Sequence, residues 1–124
     1  MELYVSELDN GIRLIRLIGK MDAISVGEIE KKLADYCAGN NVRMIVDMSG
    51  ADFLASIGIH LLTVTAKSLA SRKGKMAILN PTADAQKALE MAGIPAIIPI
   101  YSQLESAETV LLARMEVHTA GISK

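Results

Sequence analysis

The chain has 124 residues, 51% hydrophobic and 22% charged, with a formal net charge of −1. That length is one domain, and that composition supports a packed core rather than disorder. The near-neutral balance supplies no basic field for nucleic acid or an anionic membrane, and four aromatics (Tyr4, Tyr36, Phe53, Tyr101) are too few for a base-stacking platform.

In chain order, "LYVSEL" alternates in polarity, "DNG" at 9–11 marks a tight turn, and "IRLIRLIG" follows. This predicts a hairpin whose second strand ends at Gly19. "SVGE" at 25–28 has the capping-box pattern, with Ser25 as cap and Glu28 reaching back. Val26, Ile29, Leu33 and Cys37 then recur at helical spacing, and Gly39 and Asn40 supply the stop. "VRMIVDMS" is the next strand, with Val42, Met44 and Val46 on one face. Ile45 is apolar on the other face, as in a strand covered on both sides.

"SGAD" reads as a loop. A helix follows from Ser56 to Ser71, with Leu62, Ala66 and Leu69 as its apolar stripe and Ser56 in the N-cap position. "SRKGK" is a turn, "MAILN" a strand, and Pro81 suits a helix start. Ala85, Ala88, Leu89 and Ala92 form a narrow stripe that Gly93 ends. "AIIPI" is a last strand that Pro99 confines to an edge or truncates. "SQLE" at 102–105 repeats the capping-box pattern and opens a helix to Met115; the tail "VHTAGISK" frays. Strands alternating with helices imply an α/β domain with a largely parallel sheet and right-handed crossovers.

Cys37 is the sole cysteine, which rules out an internal disulfide and suits a reducing compartment. "MELYVSELDNG" lacks the apolar core of a signal peptide, and "MAGIPAIIPIY" is too short for a membrane span. The expected location is cytoplasmic, without membrane insertion. Enzyme signatures are missing: no GxxxxGK[ST], no GxGxxG and no GxSxG frame around Ser56. His60, His118 and Cys37 lack metal-ligand spacing, and Asp22, Asp47, Asp52 and Glu28 specify no carboxylate pair. Lys67, Arg72, Lys73 and Lys75 read as a solvated helix end, and the seven methionines as core filler. No cofactor is expected. An enzyme using Ser56 and His60 would lack an orienting acid and an oxyanion hole.

"VRMIVDMSGADFLASIGIHLL" resembles the signature of STAS-domain proteins, the bacterial anti-sigma factor antagonists. The resemblance rests on "DMS" at Asp47, Met48 and Ser49, the aromatic Phe53 in the following segment, and Gly58 as the motif glycine. "IRLIGKMDAISV", "MAILNPTADAQKALEMAGI" and "IYSQLESA" extend it over nearly the whole chain. It implies a single STAS-like α/β domain over residues 1–117, with a frayed tail at 118–124. The implied architecture is a mixed, mostly parallel sheet of about five strands with about four α-helices.

By this resemblance Ser56 is the phosphorylation acceptor. Asp22, Phe53, Leu54, Ala55, Ser56, Ile57, Gly58 and His60 form the partner-binding surface. The chain departs from the family pattern at Ala55, where an Asp is usual, at Ile57, where Ser or Thr is usual, and at His60, where a small residue is common. The implied partner is an anti-sigma factor/serine kinase, whose binding phosphorylation would switch off. The alternative is an unphosphorylated STAS scaffold subunit of a signalling or transport assembly. Phe53 alone reads as a core plug that orders its loop, Asp22 as a helix-start or turn residue, and Asp47 as shaping the loop after its strand. His60 reads as a titratable neighbour of Ser56 or an ordinary surface histidine.

Overall fold

In a computed structural model that describes residues 1–112, the elements run β1 (Glu2–Glu7), β2 (Arg13–Met21), α1 (Ala23–Tyr36), β3 (Arg43–Leu54), α2 (Ser56–Ala70), β4 (Lys75–Leu79), α3 (Ala83–Met91), a 3-10 turn (Ile94–Ala96) and β5 (Ile100–Tyr101). A fourth helix, α4, occupies residues 104–112. The expected helix end at Met115, the domain limit at 117, His118 and the tail lie outside the described residues.

The strands form one sheet in sequence order, β1-β2-β3-β4-β5. β1 and β2 pair antiparallel as the expected hairpin; β2-β3, β3-β4 and β4-β5 are parallel. The hairpin turn closes through Gly11 N–H to the Leu8 carbonyl, 2.9 Å, while the Asn10 side chain accepts from Ile12 N–H, 3.1 Å. Each parallel connection carries a helix, because parallel neighbours cannot be joined by a tight turn.

The strand period of two divides the core. Ile15, Leu17, Met44, Val46, Met76 and Ile78 point to one face, where they meet Val26, Ile29 and Leu33 of α1, Leu62 and Leu69 of α2, and Leu89 of α3. The alternate residues Ile45, Ala77 and Leu79 pack under Ala107 and Leu111 of α4. β3 is thus covered on both sides, as its unbroken apolar run required. No helix among the described residues is long and apolar enough to cross a membrane.

Several element limits differ from expectation. β2 does not end at Gly19: it runs on to Met21, with Gly19 at φ +119° beside a register shift against β3. α1 starts before Ser25, capped by Asp22, whose carboxylate accepts from Ser25 N–H at 2.9 Å. Glu28 lies instead 3.3 Å from the Met1 amino group. The "AIIPI" strand is truncated and at the edge, as Pro99 implied, and its paired residues are Ile100–Tyr101, because Pro99 has no N–H for the ladder. α4 begins at 104, one residue later than a cap at Ser102 would place it.

Arg72 is not a solvated cation at a helix end. Its Nε donates to the Gly39 carbonyl at 2.9 Å and its Nη2 to the Cys37 carbonyl at 2.7 Å. Arg13 Nη1 donates to the Tyr36 carbonyl. The two guanidiniums satisfy carbonyls at the C-terminal end of α1, whose last turn carries no basic residue. Arg72→Ala is expected to lower stability by about 2 kcal/mol in urea denaturation, the scale of hydrogen bonds to a charged donor. Arg72→Lys should recover only part of it, since one ammonium cannot reproduce the fork.

Candidate functional site

The site forms where two parallel strands stop together. Met21, the last residue of β2, is in register with Leu54, the last of β3. Ala55 N–H then donates to the Met21 carbonyl at 3.1 Å. Both chains turn into helices directly after this clasp, so Asp22 and Ser56, far apart in sequence, open neighbouring helices. The expected "SGAD" loop does not exist: residues 50–53 continue β3, held to β2 by the pairs Ile18↔Gly50, Gly19↔Ala51 and Lys20↔Phe53.

Ser56 is not the cap of α2. Ala55 holds the cap position with extended backbone (φ −85°, ψ 167°), has no side-chain acceptor, and no acid stands in the first turn. Ser56 is therefore the first helical residue, and it is exposed. The first amides of a helix have no intrahelical acceptor, so those of α2 give the Ser56 end a partial positive charge.

Gly58 is required by close approach. A Cβ there would lie 2.8 Å from Leu54 Cδ1 and 3.0 Å from Met21 Cβ. A side chain there would require Leu54 and Met21 to shift. Its N–H donates to the Ala55 carbonyl at 2.9 Å, so the first turn starts tightly.

Around Ser56 the surface is apolar. Phe53 is 49% exposed and Ile57 42%, while Leu54 and Ala55 are half-buried. Phe53 is thus no core plug: it extends β3 on the face away from Met21, beside Lys20 of β2. His60, four residues on from Ser56, is exposed on the same side of α2. Two exposed apolar residues were missed from sequence, Ile24 at 77% in the first turn of α1 and Val64 at 47% on α2. Ile24 lies before the Ser25 cap signal, so the sequence places it outside α1. Val64 was legible as a position two turns on from Ile57, opposite the Leu62 stripe.

Asp22 takes its expected place at a helix start. The amides it accepts from, Ser25 first, hold its carboxyl below the ordinary aspartate value. Asp47 does not shape a loop, because β3 continues past it. It is 8% exposed, accepts from Ser49 N–H (2.9 Å) and Ser49 Oγ (2.8 Å), and pairs with Arg16 Nε at 3.4 Å. It secures β2 against β3 on the α4 side rather than facing the Ser56 surface. Among the described residues no group of His, Cys, Asp or Glu could hold a metal.

Residues 5–107 match the STAS domain model, and the chain belongs to the STAS-domain family. The anti-sigma-F factor antagonist RsfB of Mycobacterium tuberculosis is 22% identical over 100 residues, covering 81% of each chain. The crystal structure of an anti-sigma factor antagonist from Mycobacterium paratuberculosis superposes with a TM-score of 0.80 at 21% identity, covering 89% of this chain and 92% of that one. The anti-sigma factor antagonist SpoIIAA is similar in its unphosphorylated form (TM-score 0.74, 21% identity, 89% and 96% covered). Its phosphorylated form from Bacillus gives a TM-score of 0.66 at 20% identity, with 88% and 99% covered.

Two outcomes test this geometry. Ala55→Asp supplies the missing cap acceptor and should raise stability by about 1 kcal/mol in denaturant titration. Asp22→Asn should cost stability at neutral pH, with a sign fixed by the lowered carboxyl. The folded pKa lies below the unfolded one, so the carboxylate's contribution is fully present above the ordinary aspartate value of about 3.9. It is lost as pH falls through the lower folded value. The melting-temperature gap between wild type and Asp22→Asn should be constant from neutral pH to mild acid and close at strongly acid pH.

Proposed function

We propose that this chain is a cytoplasmic anti-sigma factor antagonist. It binds an anti-sigma factor/serine kinase through the surface around Ser56, and phosphorylation of Ser56 switches that binding off. The observation that carries this reading is an exposed hydroxyl on the first residue of an uncapped helix, set among exposed Phe53 and Ile57. The name of RsfB and the two recorded states of SpoIIAA support it.

The physics of the switch follows from the charge. A phosphoserine carries about −1.5 to −2 at pH 7. The uncapped amides and dipole at the start of α2 accommodate that charge, so the modified domain stays folded. A partner closing over Phe53, Leu54, Ala55 and Ile57 would have to desolvate the phosphate, which costs several kcal/mol unless cations meet it. Asp22 sits at the rim, where it would contact the partner and add to the repulsion of an anion at Ser56. His60 would be a polar contact within the same patch. The chain needs no cofactor for this role and catalyses no reaction of its own.

Ala55 and Ile57, the departures beside the acceptor, favour a permanent scaffold instead, in which Ser56 is never modified. Affinity capture from the source cytosol, with mass spectrometry of the partner and of Ser56, separates the two. Ser56→Asp should fold yet recover the anti-sigma factor at least about tenfold less well than wild type, a change of about 1.4 kcal/mol. Ser56→Ala should recover it fully, and a fraction of native Ser56 should carry phosphate. Equal recovery by both variants, with Ser56 unmodified under all growth conditions, would leave the scaffold.

A further inference from the structure

At the end of the sheet away from Ser56, β4 is incompletely paired on its β5 side at Met76, a residue 6% exposed. Lys75 N–H donates to Val42 on the β3 side, 2.9 Å, whereas Ile78 N–H donates to Pro99 on the β5 side, 2.9 Å. Backbone groups alternate in direction along a strand, so Met76 presents its N–H and its carbonyl to the β5 side. Pairing there covers only Ile78↔Ile100 and Leu79↔Tyr101. In a parallel ladder the N–H of residue 99 would donate to the Met76 carbonyl, but residue 99 is proline. Among the described residues Met76 therefore has no ladder partner on that side.

A cleft of about 150 Å³ opens beside this gap. Ala70 of α2 and Gly74 are too small to fill it, and Ile97 (53% exposed) and Val110 of α4 (43%) stand on its wall. Among the described residues Lys75 is the one ionisable residue in the lining, and Lys73 is exposed two residues before it.

We propose that this edge is a second binding site, for a short extended peptide segment of a partner protein. The segment pairs its backbone with the Met76 N–H and carbonyl by strand addition. One apolar side chain of the segment enters the cleft, and a flanking carboxylate meets Lys75. An unpaired donor and acceptor on one strand residue select an extended backbone, which a helix or a flat apolar surface cannot offer. The cationic Lys75, with no carboxylate among the described lining residues, selects an acidic flank. Met76 is in register with Met44, and Leu54 lies ten residues further along β3, so the two sites are roughly 30 Å apart. Peptide binding here is independent of the state of Ser56.

The probe is an acetylated hexapeptide of alternating valine and glutamate, titrated into the 15N-labelled full chain. The expected result is saturable amide shifts centred on Gly74 and Met76, with the Met76 amide protected from hydrogen exchange. Replacing the glutamates by lysines should weaken binding at least about tenfold. Ala70→Phe, which fills the cleft, should abolish it. Lys75→Glu, a surface change that leaves the core intact, should reverse the preference between the two peptides. No shift at millimolar peptide, equal binding of both peptides to wild type, or shifts centred on Ser56 would each overturn the proposal.

Discussion

The arrangement of the Ser56 surface depends on one hydrogen bond, from Ala55 N–H to the Met21 carbonyl. It is the last rung of the β2–β3 pairing, formed one residue beyond the end of β3. It brings the exits of two parallel strands to the same level, so α1 and α2 start side by side. Gly58 keeps the first turn of α2 against that rung, since any Cβ would collide with Met21 and Leu54. The exposed apolar surface around Ser56 is a by-product of this geometry: two helix starts meet, and the residues that cannot turn inward, Ile24, Phe53 and Ile57, remain in solvent.

The far ends of the same helices are also tied. Arg72, just past α2, reaches the Cys37 and Gly39 carbonyls after α1, and Arg13 reaches Tyr36. α1 is thus fixed at its start by Asp22 and at its end by two guanidiniums. α2 has no such cap at its start. Of the two helix N-termini at the site, the one bearing the serine is the one left electrostatically incomplete.

What was legible in the sequence was whatever follows a period. The strand alternation at Met44, Ile45 and Val46 and the helical spacing of Val26, Ile29, Leu33 and Cys37 placed these residues in the core, where the structure holds them. The element ends were less legible, because each has a local signal that a tertiary contact overrides. "SGAD" has loop composition, yet pairing with Ile18 and Gly19 keeps it in the sheet. Ser25 and Ser56 both look like caps, but the residue before each helix is set by where its strand leaves the sheet. Phe53 was misplaced for the same reason: on a loop it would fold inward, and on a strand its side is fixed by parity. The family pattern located Ser56 and Gly58, and the structure supplies the physical requirement for the glycine.

Among the described residues β1 is an edge strand with one side unpaired, and Tyr4 and Val5 are exposed on it. Such a strand is a template for self-association. Glu2 and Glu7 stand at its two ends. If two copies met antiparallel in full overlap, Tyr4 would lie opposite Val5, and each Glu2 would lie opposite the Glu7 of the other copy. Two pairs of like charges would face one another across the new ladder, a destabilising arrangement. Placing the carboxylates at both ends of this six-residue strand protects the domain against edge-to-edge aggregation in that alignment.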